Sequence, residues 1–402
     1  MTILVLNCGS SSVKYQLIEM TNRSWLAKGM VSRIGMSGAV LTQKRSDGDE
    51  VTISGDILDH IMAIEYIITM LLSPNHGVIK DKSEIKAVGH RVVHGGERFT
   101  ESCLITPEVK QELRKLIELA PLHNPHNIRG INAAISNLPD LPNVAVFDTA
   151  FHHKMPDYAY IYGIPYQLYR KYKIRRYGFH GMSHAFVSRR LAEIMDKGLD
   201  DLKVITCHLG NGASVTAIDQ GISVDTSMGF TPLEGLMMGT RSGDLDPAVI
   251  LHLMGREELS LHEANTLLNK HSGLLGVSGV SADMREIIEE MESGAYSAQL
   301  AFNVYNYRVR KYIGAYAAAM GGLNAIVFTG GIGENAPKVR VGILSNLEFM
   351  GITLDSDRNN QTVGQETLIS TDGSNVTVAV IPTNEELVIA IDTAEIVSRS
   401  GG

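Results

Sequence analysis

The stretch Ile3-Leu4-Val5-Leu6-Asn7-Cys8-Gly9-Ser10-Ser11-Ser12-Val13-Lys14-Tyr15-Gln16-Leu17 decides the fold. Ile3–Leu6 is an unbroken apolar run, which reads as a buried strand. Asn7–Ser12 is a small polar turn. Val13, Tyr15 and Leu17 then alternate with Lys14 and Gln16, which reads as a second strand. Together they make a hairpin with a Gly/Ser tip. The pattern returns about two hundred residues later, half the chain away. There the apolar run Lys203–Cys207 leads into His208-Leu209-Gly210-Asn211-Gly212-Ala213-Ser214, followed by Val215, Ala217 and Ile218. Gene duplication and two independent Gly-rich hairpins both account for this, and the pattern leaves both open.

Working outward, Ile57, Leu58, Ile61, Met62, Ile64, Ile67, Ile68 and Leu71 recur at helical spacing, with Asp56 as the expected cap and Pro74 as the stop. A second helix is expected from Thr106-Pro107, with Thr as N-cap and Pro at the first helical position, burying Val109, Leu113 and Leu116. Asn143–Phe147 reads as a buried strand ending at Asp148. A long helix is expected from about Ala298 to Met320, stopping at Gly321-Gly322. The strand Ala325–Thr329, a third Gly-rich turn (Gly330-Gly331-Ile332-Gly333), the strand Thr377–Ile381 and a closing helix complete the reading. Strands alternating with helices define an α/β class. A chain of 402 residues exceeds what one core usually serves, so two domains are expected, with the boundary in an ordinary loop just after Asp148.

Composition narrows the function. The formal net charge of −8 and the lack of a dense Lys/Arg run argue against a nucleic-acid partner. The N-terminus lacks a basic n-region and reads as a strand rather than a signal peptide. The longest helical apolar stretch contains Asp59 and Glu65 and is too short to span a bilayer, so no membrane association is expected. Three cysteines without a CxxC pair suit a reducing cytoplasm.

The three Gly-rich turns each follow an apolar strand. Glycine lets backbone N–H groups approach an anion, and Ser10 and Ser12 add hydroxyl donors. Lys14 shares a face with Ser12, where an ammonium can meet a phosphate. No GxxxxGK[ST] and no HRD…DFG set occurs, which excludes a P-loop and a protein kinase. Clusters of His and Arg among small residues supply donors for a transferring phosphoryl group: Gly89–Gly96 with His90, Arg91 and His94, Leu122–His126, Phe147–His153, Tyr177–His184 and Gly239–Asp244. The alternatives are weaker. His90/His94 and His123/His126 have no HExxH or Cys/His set to complete a zinc site. Gly181-Met182-Ser183-His184-Ala185 departs from the GxSxG elbow at Ala185.

Eight ordered blocks then bring a resemblance: Asn7–Lys14, Gly89–Gly96, Phe147–His152, Tyr177–Gly181, His208–Gly212, Met238–Asp244, Phe328–Asn335 and Pro382–Glu386. Over essentially its whole length the chain resembles the acetate kinase family. The resemblance implies two duplicated α/β domains of the actin, heat-shock chaperone and sugar-kinase type (ribonuclease H-like), with ATP in the cleft between them. It implies domains of 1–150 and 151–383, the first completed by the C-terminal helix 384–402. The implied reaction is reversible, direct in-line transfer of the ATP γ-phosphoryl group to acetate, giving acetyl phosphate and ADP.

By the same resemblance, Asn7 and Glu385 would hold Mg²⁺, for which Mn²⁺ can substitute. Lys14, Ser10, Ser12 and the turn His208, Leu209, Gly210, Asn211, Gly212 would contact phosphates. Asp283, Met284, Arg285, Gly331, Ile332, Gly333, Glu334 and Asn335 would line the nucleotide site. Arg91 would bind the substrate carboxylate, with Val93, Leu122, Phe179 and Pro232 around its methyl group. His180 and Arg241 would stabilise the transition state, and Asp148 would be the acidic group of the site. Acetate is already an anion at neutral pH and needs no general base, so Asp148 is expected to orient Arg91 or a Mg²⁺ water. A homodimer in the cytoplasm is also implied. The rivals are a propionate or butyrate kinase and a non-catalytic chaperone relative. The latter needs no carboxylate pocket.

Overall fold

The computed structural model describes residues 1–400 other than Leu122. The chain divides into two compact units, Met1–Ala150 with Asn384–Gly402, and Phe151–Thr383.

The first unit is built on an eight-stranded sheet. Its strands are β1 (Thr2–Cys8), β2 (Ser12–Glu19), β3 (Ser24–Ser32), β4 (Ala39–Arg45), β5 (Glu50–Gly55), β6 (Ile85–Val92), β7 (Cys103–Leu104) and β8 (Asn143–Phe147). Their spatial order is β5-β4-β3-β2-β1-β6-β8-β7. β1 to β5 form an antiparallel meander, in which Asn7 lies opposite Lys14 across the first hairpin. β6 runs parallel to β1 and β8 parallel to β6, while the short β7 is antiparallel to β8. Parallel neighbours need crossovers, and the helices His60–Leu71 and Asn124–Asn137 supply them. Ile3, Leu4, Val5 and Leu6 are all buried, as expected of a central strand covered on both faces. Leu4, Leu6, Val13, Tyr15 and Leu17 share a core with Ile64, Ile67 and Ile68 of the first of these helices.

The second unit repeats this topology. Its strands β9 (Lys203–Leu209), β10 (Ala213–Asp219), β11 (Ile222–Thr226), β12 (Ala325–Thr329), β13 (Thr367–Leu368) and β14 (Thr377–Val380) are ordered β11-β10-β9-β12-β14-β13. β9, β10 and β11 are antiparallel, β12 is parallel to β9, β14 is parallel to β12, and β13 is antiparallel to β14. Strand for strand, this matches β3-β2-β1-β6-β8-β7 of the first sheet. The two Gly-rich hairpins therefore occupy the same place in two copies of one fold.

The closing helix Glu385–Ser400 packs on β6, β1 and β8 of the first unit. Its seat requires Gly89: a Cβ there would lie 2.5 Å from Thr393 Oγ1 and 2.6 Å from Ile389 Cγ2. Two local expectations need correction. The first helix starts at His60 and its cap is Asp59, which accepts from Met62 N at 2.9 Å. Asp56 lies outside the helix, because the Ile57 carbonyl accepts from Gly35 N at 2.8 Å and the backbone there is tied to a loop. The third Gly-rich segment is not a turn but a short helix, Gly330–Asn335, entered through Gly330 at φ +76°. The helix at Pro107 forms with Thr106 accepting from Val109 N as its cap. The long helix runs Tyr296–Met320 and stops at a left-handed Gly321. No helix among the described residues is long and apolar enough to cross a membrane.

Candidate active site

In the first unit the chemistry gathers at the ends of β1, β6 and β8. Arg91 lies near the end of β6, and Asp148 follows β8 directly. The guanidinium grips the carboxylate along one edge: Nε donates to Oδ1 at 3.3 Å, and Nη2 donates to Oδ2. Asp148 is 1 % exposed, and its backbone N–H donates to the Val92 carbonyl at 3.1 Å. Glu385 Oε2 lies 4.0 Å from Arg91 Nε. Burial disfavours the charge of Arg91, but the carboxylates of Asp148 and Glu385 outweigh it and raise the pKa. The Glu385 carboxyl is pushed up by burial, with Glu386 adding to the shift and Arg91 and Lys14 opposing it.

The residues after β6 are fixed by two asparagines that sequence reasoning did not single out. Asn127 Oδ1 accepts from Val93 N at 3.1 Å, while its Nδ2 donates to the Cys8 carbonyl at 3.0 Å. One amide thus ties the ends of β1 and β6. Asn124 exchanges hydrogen bonds with the His94 backbone, its Oδ1 accepting at 3.2 Å and its Nδ2 donating at 3.1 Å. The signal was present: Asn124 and Asn127 are three apart on one helix face, beside a quoted cluster. Val93 is buried. Leu122 lies outside the described residues. His90 is a structural group: it is 2 % exposed and hydrogen-bonded to Asn143, and burial lowers its pKa to about 4. At the first hairpin, Gly9 N donates to the Ser12 carbonyl at 2.8 Å, leaving Ser10 and Lys14 exposed at the tip.

In the second unit the helix Gly181–Ile194 is led by His180, a non-glycine residue at φ +56°. Such strained backbone persists only where the surroundings impose it. Here His180 Nδ1 is 2.9 Å from Ser214 Oγ, and its ring lies 4.2 Å from that of His208. His184 and His152 support this layer as neutral rings. Burial, with His152 and His208 nearby, holds His184 well below its usual pKa, and it bridges Thr206 Oγ1 and Ser214 Oγ at 2.7 Å each. Burial lowers His152 to about 4, so its Nε2 donates to the Phe179 carbonyl at 3.0 Å and its Nδ1 accepts from Ser223 at 2.8 Å.

Above the hairpin tip the structure brings His180 and Arg241 together. A Cβ at Gly212 would lie 3.5 Å from Arg241 Nη1 and 3.6 Å from His180 Nε2. Arg241 Nη1 donates to the Pro232 carbonyl at 3.1 Å, and among the described residues no carboxylate pairs with it. Burial alone lowers its pKa. A guanidinium stays charged in any protein, so this is a half-buried cation without a carboxylate partner among the described residues, suited to meet an anion.

Beside the same hairpin opens a pocket of about 780 Å³, within the range of small-molecule sites. Gly210, Asn211, Asp283, Met284, Arg285, Gly331, Ile332 and Asn335 line it, joined by Ala282, Ile288, Pro337 and Lys338, which sequence reading missed. Gly333 and Glu334 serve it from behind instead. Glu334 Oε1 accepts from Gly330 N at 2.8 Å and Thr383 N at 3.2 Å. The Gly333 carbonyl accepts from Arg340 at 2.8 Å. Arg340 is fully buried against neutral acceptors on Asn359 and Thr362, and burial lowers its pKa to about 10.

A duplicated α/β fold with an arginine set beside its glycine hairpin and a nucleotide-sized pocket next to it fits a class, the ATP-dependent phosphotransferases. Within that class the chain belongs to the acetokinase family, whose model matches residues 2–391. An acetate kinase of Symbiobacterium thermophilum is 57 % identical, with 99 % of each chain covered. Among solved structures, an acetate kinase of Porphyromonas gingivalis superposes with a TM-score of 0.96 at 50 % identity, covering 98 % of this chain and 99 % of that one. A propionate kinase of Francisella tularensis reaches 0.92 at 42 % identity, covering 98 % and 99 %.

Proposed function

We propose that this chain is an acetate kinase, moving the γ-phosphoryl group of ATP to acetate to give acetyl phosphate and ADP. The observation that carries the reading is the pairing of His180 and the uncompensated Arg241 over Gly212. Both are donors aimed at one point beside a nucleotide-sized pocket. Arg91 binds the acetate carboxylate. Asp148 occupies its Nε–Nη2 edge, which leaves Nη1 for the substrate. Asp148 therefore orients Arg91 and takes no proton, because acetate attacks as the anion. Phe179 and Pro232 of the second unit would face the methyl group of acetate. His180 and Arg241 neutralise charge on the transferring group during in-line displacement, with no phospho-enzyme.

Asn7 and Glu385 fit a Mg²⁺ by donor chemistry. Among the described residues no group of three or more His, Cys, Asp or Glu could hold a metal by itself. That suits Mg²⁺, which keeps its waters and binds through one or two carboxylates plus substrate phosphates. When bound, the ion would neutralise charge on the β- and γ-phosphates. Mn²⁺ would substitute on the same donors. The same reading makes the protein a cytoplasmic homodimer, in keeping with its three free thiols.

A hydroxamate assay with ATP, Mg²⁺ and acetate, propionate or butyrate tests the assignment. Acetyl phosphate should form fastest, and propionate should be a poorer substrate, since one methylene is worth about 1–3 kcal/mol. Absence of acyl phosphate from every acid would refute it.

A further inference from the structure

A partly buried polar cluster in the second unit lies outside every role given above. Arg176 Nη1 donates to the Thr226 carbonyl at 2.7 Å and the Ser227 carbonyl at 3.2 Å. Its Nη2 donates to Glu234 Oε1 at 2.7 Å. The other carboxylate oxygen, Oε2, accepts from the Tyr162 hydroxyl. That hydroxyl in turn accepts from Phe230 N at 2.8 Å. Pro232 sits midway between Phe230 and Glu234, so both flanks of the proline are pinned by one three-residue cluster. The Pro232 carbonyl is the oxygen that holds Arg241 Nη1.

The cluster also reaches the segment that carries Phe179 and His180. Arg176 begins that segment, and the next two N–H groups, Tyr177 and Gly178, both donate to the Gly229 carbonyl, at 3.0 and 3.3 Å. Gly229 is placed for this purpose: a Cβ there would lie 1.5 Å from Glu234 Oε2 and 2.2 Å from the Tyr162 oxygen. An ion pair with a phenol, drawn partly out of water, is not needed to stabilise a loop, since apolar packing of equal volume does that as well. Its distinctive property is a fixed direction for every hydrogen bond.

From this geometry we propose that Tyr162, Arg176 and Glu234 are positioning residues of phosphoryl transfer. They set Pro232, and through its carbonyl Arg241, in register with Phe179 and His180. The inference rests on the acetate kinase reading. The cluster acts on the transferring group and the methyl pocket, and leaves the nucleotide pocket untouched.

Tyr162→Phe removes one oxygen and the two bonds it makes, and Glu234→Gln keeps the shape of the side chain but not the charge. In each, kcat with acetate should fall about tenfold or more, since small misplacements of catalytic groups cost up to ~10²-fold. The KM for ATP should stay within about twofold. The ratio of kcat/KM for acetate over propionate should shift about threefold or more as Pro232 loosens. Folded variants with unchanged kcat and an unchanged acetate-to-propionate ratio would overturn the proposal. So would a kcat loss that comes with an equal rise in the KM for ATP and no change in the ratio, which is general loosening. If the wild type itself forms no acyl phosphate, both readings fall. If it does and the variants match it, only this one does.

Discussion

Arg91 in the first unit and Arg241 in the second are both arginines proposed to meet an anion, yet their surroundings are opposite. Arg91 is clamped along one edge by Asp148, with Glu385 at 4.0 Å, and these carboxylates raise its pKa. Among the described residues Arg241 is held by the Pro232 carbonyl and the Met238 sulfur and by no carboxylate, and burial lowers its pKa. A cation already neutralised by a fixed carboxylate offers direction more than charge. That suits a ligand such as acetate, whose negative charge is already present when it binds. A cation with no counter-ion keeps its full attraction for charge that builds up in the transition state, where binding raises kcat.

The comparison can be broken at either arginine. The largest effect is expected for Arg241→Ala, with kcat falling about 10³–10⁵-fold as for an arginine finger. A fall below roughly tenfold would remove Arg241 from its role. Asp148→Asn should come next. The guanidinium loses its charged guide, and kcat should drop on the order of 10²-fold. The pKa values of the pH–rate profile should be retained, whereas a displaced profile would mean that Asp148 carries a proton.

Smaller effects concern the scaffolds behind the two sites. Gly89→Ala places a methyl group against Thr393 and Ile389, and overpacking of this kind costs about 1–3 kcal/mol. Its signature is a lower urea midpoint with native-like kinetics in the molecules that remain folded. A further effect is shared by both units. His90 and His152 have folded pKa values of about 4, below the ordinary value of 6.5. The unfolded chain binds their protons first, so their contribution is complete above pH 6.5 and is lost as pH falls towards 4. Each should remove about 1.4 kcal/mol per pH unit across that window. Urea titrations at stepped pH measure the slope, and a flat profile would contradict it.

The repeated hairpins were legible because their first strands are buried and read as apolar runs, while β2 alternates apolar and polar residues. β3, β4 and β5 were not placed from sequence. Ala39-Val40-Leu41-Thr42-Gln43-Lys44-Arg45 mixes apolar and charged residues, because this meander is covered on one face only and β5 is nearly all exposed. Asp56 was a reasonable cap by composition, but a tertiary bond to Gly35 displaced the helix start to His60. The Gly330–Gly333 segment looked like a turn, since glycine lowers helix propensity. It is helical because Glu334 and Arg340 secure both its ends. The acidic and basic residues of the candidate site lie within the quoted blocks. The asparagines Asn124 and Asn127, and the cluster of Tyr162, Arg176 and Glu234, were missed because their roles depend on partners 30 or more residues away.

The division of labour between the two arginines is tested most directly by acetate saturation kinetics of Arg91→Ala and Arg241→Ala measured side by side. The account predicts that Arg91→Ala acts mainly through a raised KM for acetate, and that Arg241→Ala acts mainly through kcat with the KM for acetate near that of the wild type. The same pattern in both variants, or the two patterns exchanged, would contradict it.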